Sequence, residues 1–180
     1  MRDSPTSDDS DDQWVRAAVG RYEGPLTLYA ARLLGDAEAA RDVVQDTFLR
    51  LCKQGRNEVA HRLAEWLFTV CRNRALDVLR KEGRMTRLSD EQVRARPSPD
   101  PGPSDDLERR EEAARVLALL EELPPSQQEV VRLKFQNGFS YREISRISGH
   151  SVSNVGYLLH AAMKTLRGRL SDARPSRATS

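Results

Sequence analysis

Long apolar runs, aromatic residues and catalytic motifs are scarce or missing in this sequence of 180 residues. No window approaches the roughly 18 consecutive apolar residues that a membrane-spanning helix needs. The acidic start lacks the basic and apolar stretches of a signal peptide, so we expect a cytoplasmic protein without membrane insertion. Aromatic residues make up only 6% of the chain and charged residues 31%, which argues against one large, aromatic-rich core.

Cysteine and histidine are too few and too scattered to predict a metal site. The chain has two cysteines, Cys52 and Cys71, and three histidines, with no Cys-x-x-Cys pair. Both cysteines lie among apolar residues of predicted helices, which favours buried free thiols over a redox switch. No phosphate-binding loop, dinucleotide-binding motif, nucleophile elbow or zinc-protease motif occurs. The sequence therefore predicts no metal, no cofactor, no small-molecule substrate and no enzyme activity.

The small net charge of +2 conceals a strong segregation of charge along the chain. Residues 1–13 carry a net charge of −4 and are rich in Ser and Asp, which predicts a disordered acidic tail. Residues 61–87 and residues 140–170 each carry a net +4, whereas residues 97–112 carry a net −4. Two basic blocks separated by an acidic spacer favour a protein that contacts nucleic acid at two places.

The clearest domain boundary is a run of four prolines within residues 96–104. Because proline fixes φ and removes a backbone donor, neither a helix nor a sheet continues through such a run. We therefore predict an all-α fold of two small helical domains, joined by a flexible Pro-rich linker. The predicted boundaries are a domain at 14–84, the linker at 85–106, a domain at 107–170 and a tail at 171–180.

Helical periodicity runs through the first domain. A short amphipathic stretch at 14–22 is expected to break at Gly24-Pro25, with a new helix over 25–34. Asp36 is predicted to cap a helix over 37–52. The core positions of that helix are Ala40, Val44, Thr47, Phe48 and Leu51.

A polar loop over 54–61 is expected to precede a long helix over 62–82. The apolar positions of this helix repeat at helical spacing and predict its buried face. That face consists of Leu63, Trp66, Leu67, Val70, Ala75 or Leu76, and Leu79.

The second domain predicts a helix-turn-helix at its end. Helices are expected over 107–122 and 127–136, with Pro124, Pro125 and Ser126 ending the first and capping the second. A capping box at Ser140 and Glu143 opens a short helix, and a turn at Gly149 leads into a final helix over 152–170.

Steric requirements support the helix-turn-helix. Gly149 falls where the turn needs a positive φ, and Val155 and Leu158 fall where the final helix packs on Ile144 and Ile147. A helical hairpin with no nucleic-acid role remains the alternative. The near absence of acidic residues on the final helix favours DNA binding, because phosphates would repel them.

Three stretches together resemble a bacterial RNA polymerase sigma factor of the extracytoplasmic-function (ECF) group, in the sigma-70 family. In chain order they are DAEAARDVVQDTFLRL, AEWLFTVCRNRALDVLRKEGR and LPPSQQEVVRLKFQNGFSYREISRISGHSVSNVGYLLHAAMKTLR. The resemblance covers about residues 14–84 and 112–170. It implies an alternative sigma factor that binds core RNA polymerase at the β′ clamp and β subunits and directs promoter recognition, DNA melting and transcription initiation. An anti-sigma factor is a further implied partner.

The resemblance also implies three sets of site residues. The set for core polymerase is Asp42, Gln45, Asp46 and Phe48. The set for the minus-ten element of promoter DNA is Arg56, Asn57, Glu58, His61, Arg72, Asn73, Asp77, Arg80 and Lys81. The set for the minus-thirty-five element is Ser153, Asn154, Tyr157, His160, Lys164 and Arg167.

The final helix departs from the family pattern, and the role of one aromatic residue, Trp66, has two interpretations. Leu158, Ala161 and Met163 replace arginines that the family usually shows, which implies fewer phosphate contacts on the final helix. Trp66 is in register with apolar neighbours, which favours a core role over a stacking platform for bases.

Two other functions stay open: a helix-turn-helix regulator that binds duplex DNA without polymerase, and a protein-interaction adaptor derived from a sigma factor.

Overall fold

The structure is a computed structural model that describes residues 7–83 and 107–172, with side chains described for 11–83 and 114–171. Within these ranges every regular element is helical, which confirms the all-α prediction. The chain forms two compact units. The predicted linker at 85–106 and the outer parts of both predicted tails lie outside the described residues.

Among the residues 7–83, the first unit contains four α-helices and one short 3₁₀ turn. Their bounds are α1 Ser7–Leu34, α2 Ala37–Lys53, α3 Arg56–Val59, the turn Ala60–Arg62 and α4 Leu63–Lys81. Helices α1, α2 and α4 pack against one another in pairs. The second unit contains α5 Leu107–Glu121, α6 Pro125–Phe135, α7 Tyr141–Ser148 and α8 Val152–Asp172. Both α5 and α6 pack on α8.

Helix α1 passes through Pro25, so the expected break at Gly24-Pro25 is wrong. Proline inside a helix costs about 3 kcal/mol, because it removes one hydrogen bond and crowds the preceding turn. The residues that follow bury Leu26, Leu34 and Tyr29 almost completely. Each such side chain contributes about 1.5–3 kcal/mol on burial, so their sum exceeds the cost of the proline.

The start of α1 corrects the prediction for the N-terminal tail. The helix begins at Ser7, so residues 7–13 of the segment expected to be disordered are helical. The acidic composition of this segment therefore does not prevent helix formation from Ser7 onward.

Helix α2 confirms its predicted cap. Asp36 Oδ1 accepts hydrogen bonds from the backbone N–H of Glu38 at 2.8 Å and of Ala39 at 3.0 Å. The buried positions of the helix are Ala40, Val43, Val44, Thr47 and Leu51. Phe48, expected in the core, is only half-buried, because it lies at the edge of the face that α1 covers.

The buried face of α4 is rotated by about one residue from the predicted face. Trp66 and Val70 are half-buried, whereas Phe68 and Cys71 are fully enclosed together with Leu67, Ala75 and Leu79. The ring of Phe68 packs at 5.2 Å between centroids on the ring of Tyr29 in α1. Packing against α1 thus selects the face. The expected polar loop at 54–61 also differs, since it contains α3 and is anchored by the buried Val59.

The two cysteines have different environments. Cys71 is buried, and burial raises the pKa of its thiol from 9.0 to about 12, although a hydrogen bond with Thr47 acts in the opposite direction. Cys52 is exposed, so the expectation of a buried thiol is wrong there. Cys52 follows the core residue Leu51 by one position and therefore lies on an outward part of α2.

Local signals define the helix-turn-helix in the second unit as predicted. The Ser140 hydroxyl accepts from the Glu143 backbone N–H, and the Glu143 carboxylate accepts from the Ser140 N–H, which completes the capping box. Gly149 has a φ of 77° and ends α7. Ile144 and Val155 are fully buried. Helix α6 begins at Pro125, one residue before the expected Ser126 cap, because proline suits the first residue of a helix.

Candidate nucleic-acid and partner surfaces

The recognition face of α8 contains every predicted minus-thirty-five residue. These six side chains are all exposed and lie along one side of the helix: Ser153, Asn154, Tyr157, His160, Lys164 and Arg167. The opposite side is buried and consists of Val155, Leu158, Leu159, Ala162 and Leu166. The first acidic residue of α8 is its last residue, Asp172. The recognition face is therefore polar, accessible and free of negative side chains.

The three residues that stand in place of the family's usual arginines are all at least partly buried, and Leu158 packs inward as the sequence predicted. Leu158 is only 9% exposed, so its position packs into the unit. Ala161 and Met163 are half-buried at the margin of the recognition face. The face thus carries its cationic groups at its C-terminal end, on Lys164 and Arg167. Its N-terminal half relies on neutral polar and aromatic groups.

The α4 stripe, defined as Trp66, Val70, Asn73 and Asp77, follows one side of that helix at helical spacing. Asn73 is exposed and the other three are half-buried. Asp77 accepts from Arg80 at 3.0 Å, which places a cation next to the stripe. Trp66 is half-buried on the same side of α4 as Asn73 and Asp77, so it lies between the core and the predicted minus-ten residues. Its spacing of seven residues from Asn73 was the signal that could have found this placement.

The remaining minus-ten residues lie on α3, in the turn that follows it and on α4. Arg56, Asn57, Glu58 and His61 are exposed, as is Lys81 at the end of α4, whereas Arg72 is half-buried. Arg56 is also in contact with the start of α1: its guanidinium lies 3.9 Å from the Asp11 carboxylate and 5.8 Å from the centre of the Trp14 ring. These contacts are largely exposed, so each contributes little to stability. Glu58 accepts a hydrogen bond from Gln54.

The predicted polymerase residues lie on α2 in two different settings. Asp42 and Gln45 are exposed, whereas Asp46 and Phe48 are half-buried. Asp46 forms an ion pair with Arg74 of α4, which neutralises its charge and ties α2 to α4. Asp42 has the more accessible carboxylate of the two.

A groove of about 420 Å³ between α1 and α2 adjoins this surface. Gln45 and Phe48 line it together with residues that the sequence sets omit: Val15, Val19, Glu23, Thr27, Arg41, Val44, Leu49 and Cys52. Leu49 is 53% exposed, which is high for a leucine on a helix beside a core. Helix α1 contributes to this groove mainly through Val15, Val19 and Glu23, which precede Pro25. Sequence periodicity alone did not indicate this contribution.

Neither a metal-binding cluster nor a membrane-spanning helix occurs among the described residues. Within 7–83 and 107–172, no group of three or more His, Cys, Asp or Glu side chains is arranged to hold a metal ion. None of the helices in these ranges is long and apolar enough to cross a bilayer.

Models of known protein families match both units of the chain. The family model described as Sigma-70 region 2 matches residues 18–85, and the one described as Sigma-70, region 4 matches residues 113–166. The RNA polymerase sigma factor CarQ of Myxococcus xanthus is 31% identical over 154 residues, which cover 84% of this chain and 86% of CarQ. The ECF RNA polymerase sigma factor SigE of Mycolicibacterium smegmatis is also 31% identical over 154 residues, but these span only 60% of SigE.

A solved structure matches most of the chain. It is the sigma factor RpoE of Bartonella quintana, determined in complex with the anti-sigma factor NepR. The match has a TM-score of 0.63 and 25% sequence identity, and it covers 88% of this chain and 98% of RpoE.

Proposed function

Since this chain belongs to the ECF group of bacterial sigma factors, we propose that it binds core RNA polymerase in the cytoplasm and places it on promoters without a catalytic step of its own. The second unit reads the minus-thirty-five element, and the first opens the DNA at the minus-ten element. The observation that carries this proposal is the recognition face of α8. It presents six polar or basic side chains outward, behind a turn fixed by Gly149.

The recognition face suits a major groove. An α-helix fits this groove, and asparagine can bond bidentately to an adenine edge, while tyrosine and histidine offer single hydrogen bonds or contact a thymine methyl. Asn154, Tyr157 and His160 are the base-reading groups in this proposal. Lys164 and Arg167 bind phosphates. With only two cations on this face, binding by the isolated chain is weak, and selective binding depends on polymerase.

The α4 stripe suits a separated DNA strand. An unstacked base exposes a π-face, which stacks on aromatic side chains, and Trp66 supplies such a ring beside Asn73. Arg56, Arg72, Arg80 and Lys81 supply positive charge for the backbone. The polar side chains of Asn57 and Glu58 in α3 and of His61 just after it contact the separated strand in this proposal. Asp77 contacts a base edge and not a phosphate.

The surface of α2 suits a partner helix of core polymerase. In this proposal Asp42 and Gln45 bond to the β′ clamp, and Phe48 contributes apolar contact at the mouth of the groove. Asp46 plays a supporting part, since Arg74 already holds its carboxylate. The linker at 85–106 connects domains at 14–84 and 107–170, which contact β′ and β respectively. RpoE was solved with an anti-sigma factor, and we propose a partner of that class for this chain too.

Two other functions fit the observations less well. A helix-turn-helix regulator that acts without polymerase has no need for a sigma region 2, and this region matches residues 18–85. An adaptor without a DNA function has no need for an exposed recognition face that lacks acidic groups.

Transcription with purified core polymerase tests the proposal. The wild-type chain should give promoter-specific run-off transcripts, and the double variant Asp42→Arg, Gln45→Ala should bind core polymerase more weakly by roughly tenfold or more, since opposing like charges at an interface cost several kcal/mol. Glu121→Arg is the matched control, because it makes the same charge change at an exposed position of α5. Equal core binding by the double variant and the control would remove the clamp assignment.

A further inference from the structure

We propose that His150 is a positioning residue, which holds the side-chain amide of Asn154 in the orientation that reads a base. The inference rests on the proposed function, in which α8 reads the minus-thirty-five element. His150 belongs to the turn between α7 and α8 and to none of the predicted site sets. Its Nδ1 atom lies 3.3 Å from Nδ2 of Asn154, one helical turn further along the chain.

The backbone on both sides of this contact is fixed. Ser145 Oγ donates to the carbonyl oxygen of His150 at 2.6 Å, which anchors the turn to α7. Gly149, with its φ of 77°, directs the chain into that turn. The backbone N–H of Asn154 donates to Ser151 Oγ at 3.2 Å, which fixes the first turn of α8. The imidazole therefore reaches the amide from a supported position.

With the imidazole proton on Nε2, Nδ1 of His150 is an acceptor, and the contact then decides which groups of the amide face the DNA. When Nδ2 donates one hydrogen to His150 Nδ1, the second hydrogen and the carbonyl oxygen of Asn154 remain available. An adenine edge requires this donor and acceptor pair, with N7 accepting and N6 donating, whereas guanine presents two acceptors. A free amide can turn by half a rotation and exchange its donor for its acceptor. We infer that His150 favours adenine at one position by preventing this rotation.

The test uses the full chain with core polymerase and a pool of promoters randomised across the minus-thirty-five element. Each promoter carries its own sequence tag downstream of the transcription start, and the tags in the run-off transcripts are counted to obtain the base preference at each position. Wild type should prefer adenine at one base pair, and Asn154→Ala should abolish that preference. His150→Ala should reduce it by roughly two- to tenfold, the net effect of one hydrogen bond. The double variant His150→Ala, Asn154→Ala should show the same base preferences as Asn154→Ala alone.

Two further variants separate positioning from stability. His150→Gln keeps an acceptor for the Asn154 amide and should retain most of the preference. Ser151→Ala removes the hydrogen bond to the Asn154 backbone, so it should lower transcript yield for all sequences equally without a change in preference.

A wrong role for His150 and a wrong proposed function give different results in this test. An unchanged adenine preference in His150→Ala, with wild type selective and Asn154→Ala unselective, would refute the role of His150 alone. A change confined to a base pair that Asn154→Ala does not affect would refute it as well. A wild-type chain that gives no promoter-selective transcripts with core polymerase would instead refute the proposed function.

Discussion

The same substitution at two glycines of the second unit should change stability in opposite directions. Gly149 has a φ of 77°, in the left-handed region, whereas Gly168 lies inside α8 with helical backbone. A Cβ atom at either position meets no heavy atom within 4 Å. Contacts with distant parts of the protein therefore contribute nothing to either substitution, and only the local backbone conformation differs.

The magnitudes follow from that difference. A left-handed conformation costs a residue with a Cβ about 1–2 kcal/mol. Alanine also restricts the unfolded chain, which returns about 0.4–1 kcal/mol. Gly149→Ala should thus lower the free energy of unfolding by roughly 1 kcal/mol. Gly168→Ala should raise it by about 0.8–1 kcal/mol, because alanine is the better helix former. The two variants should differ by about 2 kcal/mol.

Urea unfolding followed by far-ultraviolet circular dichroism measures the total effect. Native-state hydrogen exchange at the amides of α7 and α8 assigns it to the second unit. The hydrogen bond from the Gly149 N–H to the Ser145 carbonyl, 3.0 Å long, is retained in the alanine variant. A Gly149→Ala protein as stable as wild type would refute the conformational reasoning, and so would a shift of both variants in the same direction.

The remaining predictions concern the first unit. Ellman's reagent at pH 8 should react with Cys52 in the native protein and with Cys71 only in urea, because the Cys71 pKa is raised to about 12. The thiol of Cys71 ionises more readily in the unfolded chain than in the folded one, so the free energy of unfolding should fall as the pH rises from 9.0 towards about 12. Cys71→Ser removes this ionisable group and should reduce the fall. Asp36→Ala should lower the free energy of unfolding by about 1 kcal/mol in the same urea assay, while Asp36→Asn keeps the cap and should cost much less.

Features that depend on neighbours within a few residues could be predicted from the sequence. The Asp36 cap, the capping box at Ser140 and Glu143, and the positive φ of Gly149 each involve groups no more than four positions apart. Their energies favour one local conformation whatever lies elsewhere in the chain. The exposed face of α8 also follows from periodicity, because its apolar positions repeat without interruption.

Features that depend on distant neighbours could not be predicted in this way. Periodicity left the buried face of α4 ambiguous by about one residue, and the contact of Phe68 with Tyr29, 39 positions away along the chain, decided between the alternatives. The pairing of Asp46 with Arg74 joins residues 28 positions apart. The first contact sets which side of α4 faces the core, and the second pairs the predicted polymerase residue Asp46 with a cation.

The sequence by itself thus determined the helices, their caps, the turn at Gly149 and the resemblance to sigma factors. Only the tertiary structure decided that α1 continues through Pro25, that a groove forms between α1 and α2, and that Asp46 pairs with Arg74. The physical reason is the range of the interactions. Caps and turns are fixed by hydrogen bonds within one or two turns of chain, whereas burial adds contributions from helices that meet only after folding.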